Sequence, residues 1–145
     1  MPPEAKPIAC VLAVVIRDGQ ALLVRRANPP DQGKWGFPGG KINAGERVLD
    51  AAVRELAEET AVAAVPVAPV AVLDVFERAD GLDPCSPLKR HFILIAVKCE
   101  WQAGEPVAGD DALEAAWWRI DQLSELDISV DVERVARLAA APGEA

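Results

Sequence analysis

Three glutamates stand close together in this sequence, at Glu55, Glu58 and Glu59. If the surrounding stretch is helical, with successive residues turned by about 100°, their carboxylates fall on one face of the helix. Like charges three or four residues apart on a helix repel each other. A cation bound between them would relieve that repulsion, so the spacing fits a metal site. It also fits a solvated acidic face on which Arg54 simply pairs with Glu58.

The residues that precede the glutamates favour the metal site. Gly39 and Gly40 come directly before the helical pattern, and Gly45 stands just ahead of Glu46. Because glycine has no side chain, it lets the backbone approach a ligand or a metal closely. A helix that only faced solvent would need no such loop. The helix face that we expect to pack against a core consists of Leu49, Ala52, Val53, Leu56 and Thr60.

The run from Gly40 to Val62 resembles the Nudix box, the signature of the Nudix hydrolase family. Five residues separate Gly40 from Glu46, and seven more lead to the motif Arg54-Glu55-Leu56-Ala57-Glu58-Glu59-Thr60. Every position of the signature matches except one, where Ala61 replaces the family's glycine. Glycine would suit a left-handed residue at the helix end, and alanine costs about 1 kcal/mol in that conformation. The substitution leaves the geometry of the helix exit open and does not affect the metal ligands.

The resemblance implies an enzyme that uses Mg²⁺ or Mn²⁺. It implies Glu58 and Glu59 as primary metal ligands, the backbone carbonyl of Gly40 as another, and Glu55 as a ligand or as the base. Such hard cations prefer oxygen ligands. They lower the pKa of a bound water and stabilise the leaving phosphate oxygen, which are the two requirements for hydrolysis of a diphosphate.

The resemblance also implies a supporting role for Arg54, which would hold a glutamate of the box in place. Glu46 is its expected partner or a further weak metal ligand. Groups of this kind set the geometry of the metal-binding carboxylates. The candidate catalytic residues are therefore Glu55, Arg54 and Glu58.

Candidates for substrate contact lie mostly outside the helix, and each has a simpler explanation. Arg25 and Arg26 end a predicted strand and either bind phosphate or are solvated. Trp35 either stacks on a base or belongs to the core. Asp111 and Glu114 are either a solvated acidic turn or a source of the general base or an extra metal ligand. The candidate substrate residues are Arg25, Arg26, Trp35, Lys41, Arg90, Asp111 and Glu114.

Composition narrows the class of protein. The chain has 145 residues, of which 51% are hydrophobic and 26% charged, and a net charge of −8. This is typical of a globular domain and argues against binding to a nucleic-acid polymer, which usually requires a basic patch. The widely spaced Cys10, Cys85 and Cys99 and the lone His91 suggest neither a zinc site nor a disulfide framework. No signal peptide or membrane span is recognisable, so we expect a cytoplasmic protein.

The order of the predicted elements indicates an α/β fold with a mixed sheet between helices, and the resemblance implies the same α/β/α sandwich. We expect one domain over residues 1–145, with a loose leader at 1–6 and a loose tail at 142–145. Asp121 or Ser124 would cap a short helix, and Ser129 a second one. Long surface loops are predicted for Glu77–Arg90 and Trp101–Glu114. Strands are predicted for Ile8–Ile16, Ala21–Val24, Phe92–Cys99 and Ala116–Ile120, and the last helix for Val130–Ala140. A further strand is predicted within Val62–Val75, irregular at its start because of Pro66 and Pro69 and regular from Val70.

The substrate is less well defined by the sequence. The compact length and the segment Gly104–Leu123 resemble the branch that holds small ADP-ribose pyrophosphatases and nucleotide-pool sanitising enzymes. A proline found in many ADP-ribose enzymes is missing here, where the chain reads Phe76-Glu77-Arg78. We expect a nucleoside diphosphate derivative, with ADP-ribose as the leading candidate. A nucleoside triphosphate pyrophosphohydrolase and a non-catalytic nucleotide-binding module are the alternatives, and the resemblance also implies a homodimer.

Overall fold

A computed structural model of the protein describes residues 6–29, 31–109 and 111–141. The predicted leader, apart from Lys6, and the predicted tail lie outside these residues. A short 3-10 helix spans Ile120–Glu125. The other elements in chain order are β1 (Ile8–Arg17), β2 (Gln20–Arg26), β3 (Trp35–Gly36), β4 (Gly39–Lys41), α1 (Val48–Thr60), β5 (Ala63–Arg78), β6 (Leu88–Ala103), β7 (Ala112–Arg119) and α2 (Val132–Ala140).

The described strands form one mixed sheet between the two α-helices. Its central order is β3-β2-β1-β6-β5, with β4 paired to β1 and β7 paired to β2. β1 and β6 are parallel, and the other neighbours are antiparallel. Along β1, Val11, Ala13 and Val15 pack on the side of α1, whereas Val14 packs on the side of α2. This alternation, expected for a strand buried on both faces, confirms the predicted α/β/α sandwich.

The sheet opens between β1 and β2. These strands pair next to their turn at Asp18-Gly19 and then diverge. Farther along, β1 pairs with β4 and β2 pairs with β3. Because β6 and β7 take the other edges of β1 and β2, the segment 35–41 must lie in the opening. This position brings Gly39 and Gly40 next to α1.

The prediction of a long surface loop at Glu77–Arg90 is wrong. β5 and β6 each run for 16 residues, and the connection between them is limited to residues 79–87. Cross-strand pairs such as Phe76 with His91 lengthen the antiparallel pair of β5 and β6, because pairing across strands stabilises even polar strand ends. The prolines predicted to make β5 irregular are tolerated at this sheet edge, where the pairing register shifts at 66–68 and again at 69–71.

The second predicted loop, Trp101–Glu114, is also too long. β6 continues to Ala103 and β7 already begins at Ala112, so the connection is residues 104–111. β7 pairs with β2 over almost its whole length. Pairing with β2 therefore makes the first residues of β7 extended, although their small and acidic side chains gave no strand pattern in the sequence.

The predicted helix caps are wrong as well. Neither Asp121 nor Ser124 caps the 3-10 helix, which begins after Arg119 without a side-chain cap. Ser129 does not cap α2, which begins after Asp131 in the left-handed conformation, with φ of 72°. Neither of the described α-helices is long and apolar enough to cross a membrane.

Ala61, the departure from the Nudix signature, keeps the geometry that glycine would favour. Its φ is 62° and its ψ is 11°, and its N–H donates to the carbonyl of Ala57. The buried Thr60 hydroxyl donates to the Leu56 carbonyl at 2.7 Å and accepts from the Val62 N–H at 3.2 Å. These side-chain bonds fix the chain on both sides of Ala61. Local hydrogen bonds thus offset the strain of a left-handed alanine.

We expect Ala61→Gly to raise the free energy of unfolding by about 1 kcal/mol, because glycine adopts a positive φ without strain. Ala57→Gly is the matched control, since it makes the same change at an exposed position inside α1. There glycine should lower stability by about 1 kcal/mol. Urea unfolding of both variants would measure the two changes. A loss of stability in Ala61→Gly would contradict this account of the helix exit.

Candidate active site

The acidic face of α1 meets the opening in the sheet. Glu55 and Glu59, one helical turn apart, line a cavity together with Gly39 and Gly40 of β4. Glu58 points more toward solvent, with 46% of its side chain exposed. The acidic face is therefore divided: two glutamates line the cavity, and the third is not among the described residues that line it.

Arg54 organises the carboxylates around it. Its Nε donates to Glu46 at 2.6 Å and its Nη2 donates to the other Glu46 oxygen at 2.9 Å. Its Nη1 donates to Glu55 at 2.8 Å and to Glu58 at 3.2 Å. The Lys41 carbonyl accepts a further bond at 3.1 Å. The paired glutamates raise the pKa of Arg54, and the hydrogen bond from Arg54 lowers the pKa of Glu46.

Gly40 provides close backbone access to this face. A Cβ atom at position 40 would lie 2.5 Å from the carboxyl carbon of Glu55. Any side chain there would displace Glu55, because real Cβ atoms do not approach that closely. At Gly39, a Cβ would collide with the Val11 carbonyl of the neighbouring strand. Backbone contact therefore requires glycine at position 39, whereas a side chain at position 40 would have to move the Glu55 carboxylate.

Glu59 has the most perturbed electrostatics of the three glutamates. Burial raises the pKa of Glu59 to about 7, and the Glu55 and Asp111 carboxylates act in the same direction. The Gly39 N–H, which donates to Glu59 Oε2 at 3.2 Å, and the charge of Arg26 oppose the shift. A carboxylate that is buried among other carboxylates favours a bound proton or a bound cation.

The cavity has a volume of about 700 Å³ and two kinds of wall. One part of the lining, which we call the polar end, consists of Glu55, Glu59 and Asp111 with the cations Arg26 and Lys41. The charges of Arg26 and Asp111 both act on Glu59. The side toward α2 is largely apolar, and its lining includes Cys10, Leu12, Leu73, Val75, Phe92 and Leu94. A volume of this size with a polar end and an apolar wall suits a small amphipathic ligand.

The structure brings together three of the substrate candidates and separates four. Arg26, Lys41 and Asp111 line the cavity, in contrast to the other four. Trp35 packs edge-to-face on Trp118, with ring centroids 5.2 Å apart. The remaining three form ion pairs elsewhere: Arg25 with Glu114 at 3.6 Å, and Arg90 with Glu77 at 3.2 Å.

The apolar wall was missed by reasoning from the sequence. Phe92 and Leu94 of β6, with Leu73 and Val75 of β5, line the cavity on the side of α2. The signal was present, because residues two apart on a strand share a face. Phe92–Cys99 was identified only as a buried strand, since a continuous apolar run does not reveal which face borders an opening.

The donors at the polar end fit a hard divalent cation. Carboxylate oxygens of Glu55 and Glu59 and the carbonyl of Gly40 are the ligand types that Mg²⁺ and Mn²⁺ prefer. No three acidic, histidine or cysteine side chains converge as a preformed metal site in the described ranges 6–29, 31–109 and 111–141. Arg54 accounts for part of this, because it holds Glu55 and Glu58 from one side.

The raised pKa of Glu59 predicts that a rise in pH lowers the stability of the metal-free protein and increases the stabilisation by metal. Without metal, folded Glu59 keeps its proton up to about pH 7, whereas the unfolded chain loses it near the usual glutamate pKa of 4.5. Stability should therefore fall as pH rises from 4.5 to 7, by at most about 1.4 kcal/mol per pH unit. With Mg²⁺ or Mn²⁺, the metal competes with that proton, so the metal-induced rise in Tm should grow over the same interval.

Thermal unfolding with and without metal at a series of pH values would measure both trends. Glu59→Gln is the control, because glutamine has no proton to lose in this interval. An unchanged pH profile in Glu59→Gln would mean that Glu59 is not the responsible group.

Comparison with known proteins identifies the family. A sequence model of the NUDIX domain matches residues 6–138. The chain is 34% identical over 131 residues to an ADP-ribose pyrophosphatase of Methanocaldococcus jannaschii, covering 90% of this chain and 72% of the relative. It is 32% identical over 131 residues to "Putative 8-oxo-dGTP diphosphatase 2" of Mycobacterium tuberculosis, covering 89% of this chain and 86% of that one. A MutT NUDIX hydrolase from Burkholderia pseudomallei has the same fold, with a TM-score of 0.78, 26% identity, and coverage of 92% of this chain and 98% of that chain. The chain therefore belongs to the Nudix hydrolase family.

Proposed function

We propose that this Nudix hydrolase cleaves the diphosphate linkage of a nucleoside diphosphate derivative with the aid of Mg²⁺ or Mn²⁺, and that ADP-ribose is its leading candidate substrate. The observation that carries the proposal is the position of Glu55, Glu59 and Gly40 at one end of a cavity of about 700 Å³. Similarity to an ADP-ribose pyrophosphatase over 90% of the chain supports the choice of substrate.

Members of the Nudix family generally need a divalent metal. In this chain Glu55, Glu58, Glu59 and the carbonyl of Gly40 would hold it. The metal supplies charge neutralisation on the diphosphate and a lower pKa for the attacking water. Arg54 orients Glu55 and Glu58 through its bonds to both, so we assign it a positioning role.

The rest of the cavity would bind the substrate. Arg26 and Lys41 line it near the carboxylates and would contact the diphosphate oxygens, which are acceptors for cationic donors. The apolar wall with Phe92 and Leu94 would take up the nucleoside. A substrate with a charged diphosphate and a less polar nucleoside matches this division of the cavity.

Two acids are candidates for accepting the proton of the attacking water. Glu55 and Asp111 both line the cavity, whereas Glu114 pairs with Arg25. Glu55 already accepts a hydrogen bond from Arg54, which reduces its capacity to act as a base. We therefore propose Asp111 as the general base, contributed by the connection between β6 and β7.

A nucleoside triphosphate pyrophosphohydrolase is the second candidate function. The 32% identical relative named as an 8-oxo-dGTP diphosphatase supports it, and the same carboxylates would serve that reaction. A substrate panel containing ADP-ribose, 8-oxo-dGTP and unmodified nucleoside triphosphates, with product identification, distinguishes the two. ADP-ribose turnover to AMP and ribose phosphate is expected. Binding without turnover of any member would instead indicate a non-catalytic nucleotide-binding module.

The metal assignment predicts the effect of removing two carboxylates. Glu58→Gln/Glu59→Gln should lower Mg²⁺-dependent turnover by at least about 100-fold, because the cation loses two charged ligands. Glu100→Gln/Glu125→Gln is the matched control, since it removes two exposed glutamates on other elements. Steady-state kinetics at saturating Mg²⁺ would measure both. Wild-type turnover in the first variant would contradict the mechanism.

The assignment of the base predicts unequal effects of two neighbouring acids. Asp111→Asn should lower kcat by about 100-fold or more while KM changes little, because it removes proton transfer and keeps the side-chain volume. Glu114→Gln should change kcat by less than about twofold, since the partner of Glu114 is the exposed Arg25. Equal losses in the two variants would rule out Asp111 as the base.

We further propose a homodimer located in the cytoplasm, as the resemblance and the sequence suggested. The exposed apolar residues Val65, Val67, Val72 and Phe76 on the edge strand β5 support self-association. Sedimentation equilibrium would test the dimer, and a monomer at micromolar concentration would contradict it.

A further inference from the structure

The connection between β6 and β7 makes direct contact with the end of α1. The Val107 N–H donates to the Thr60 carbonyl and the Gly109 N–H to the Glu59 carbonyl, each at 2.9 Å. The last carbonyls of a helix have no partner within the helix. Residues 104–109 therefore supply hydrogen bonds that the helix end itself lacks.

This contact is too close to tolerate side chains at two positions. A Cβ atom at Gly109 would lie 2.6 Å from the Glu58 carbonyl oxygen, and one at Gly104 would lie 2.9 Å from the Ala61 carbonyl oxygen. The connection is thus seated directly on the backbone of Glu58 and Glu59, the proposed metal ligands. Any movement of it must displace that backbone or break the two hydrogen bonds.

A cluster of side chains outside the cavity holds the beginning of the connection. Glu105 accepts from Arg17 at 2.9 Å with one carboxylate oxygen and from the Trp117 indole N–H at 3.2 Å with the other. Arg17 stacks 3.7 Å above the Trp101 ring, whose indole N–H donates to the Gly104 carbonyl at 2.8 Å. Four side chains from three strands and the connection are joined in this way. We call Arg17, Trp101, Glu105 and Trp117 the clamp.

The clamp is suited to positioning and not to global stability. The Glu105 side chain is 68% exposed, and exposed ion pairs contribute about 0–1 kcal/mol. Both carboxylate oxygens of Glu105 are nevertheless engaged, so its orientation is fixed from two directions. None of the four clamp residues is among the described residues that line the cavity.

We propose that the clamp positions residues 104–109 against the end of α1 and thereby sets the affinity of Glu58 and Glu59 for the divalent metal. The proposal rests on the proposed function, because it takes these two glutamates as metal ligands. Arg17 and Glu105 are positioning residues in this scheme. They act through the hydrogen bonds from Val107 and Gly109 and touch neither metal nor substrate.

A calorimetric titration of the metal-free protein with Mn²⁺ measures the Kd for the metal and tests the proposal without relying on catalysis. Glu105→Ala should raise the Kd for Mn²⁺ by about tenfold, with little change in the Tm of the metal-free protein. Glu105→Gln should raise the Kd for Mn²⁺ less than Glu105→Ala does, because glutamine keeps the shape of the side chain and loses only its charge. Asp121→Asn is the matched control, since it breaks the exposed pair with Arg119 at 3.0 Å on another part of the surface. Its Kd should equal that of the wild type.

Amide hydrogen exchange gives a second readout at the proposed point of contact. The N–H groups of Val107 and Gly109 should exchange faster in Glu105→Ala than in the wild type and in Asp121→Asn. An unchanged Kd for Mn²⁺ in Glu105→Ala would overturn the proposal, and so would an unchanged exchange rate at both amides. A wild-type protein that binds no Mn²⁺ would instead refute the proposed function, because the metal site itself would be absent.

Gly109→Ala tests the contact between residues 104–109 and the end of α1 without changing a clamp residue. Its Cβ would push against the Glu58 carbonyl directly, so it should weaken Mn²⁺ binding with the clamp intact. In the double variant with Glu105→Ala the two losses should be less than additive, because both act through one contact. Full additivity would mean that Glu105 acts by another route and would overturn the proposal. If Gly109→Ala does not fold, the Glu105 variants decide the question.

Discussion

The crowding of negative charge around the C-terminal half of α1 is the constraint on which the rest of the structure depends. Glu46, Glu55, Glu58 and Glu59 lie close together in a chain whose net charge is already −8. Arg54 donates hydrogen bonds to three of them. Glu59 receives no such bond from Arg54, and its burial raises its pKa to about 7. Burial, together with the nearby Glu55 and Asp111 carboxylates, thus favours a bound proton or a bound cation at Glu59.

Backbone geometry makes this arrangement possible. The divergence of β1 from β2 admits the segment 35–41, and Gly40 can then lie against the Glu55 carboxylate because it has no side chain. At the C-terminal end of the helix, Thr60 fixes the left-handed Ala61, and Gly109 lies against the Glu58 carbonyl. The helix that carries the carboxylates is thus held by contacts at its middle and at its C-terminal end.

The cavity combines acidic residues of the box with apolar residues from elsewhere in the chain. The carboxylates occupy one end, and the apolar wall is built by β5 and β6, which belong to a different part of the chain. Changes in Leu73, Val75 or Phe92 would alter the shape of the cavity and leave the acidic face of α1 untouched. Similarity to relatives named for ADP-ribose and for 8-oxo-dGTP is consistent with this separation of chemistry from recognition.

Much of the fold was predictable because local patterns carried it. The apolar runs predicted the central strands β1 and β6, the acidic helix predicted α1, and their order predicted the sandwich. Strand ends were not predictable, since the additional residues of β5 and β7 become extended only by pairing with β6 and β2. The predicted starts of the helices were wrong for a similar reason. α2 begins after the left-handed Asp131, which provides no side-chain cap, so its start depends on tertiary packing and not on a local capping signal.

The sequence by itself placed Glu55, Glu58 and Glu59 on one face of a helix, since that spacing follows from helix geometry alone. The close approach at Gly40 could be anticipated in the same way. Only the tertiary structure decided which candidates reach the cavity: Arg26 and Asp111 do, whereas Arg25 and Glu114 pair with each other. Adjacent residues on a strand point to opposite faces, and which face borders an opening depends on strands distant in the sequence.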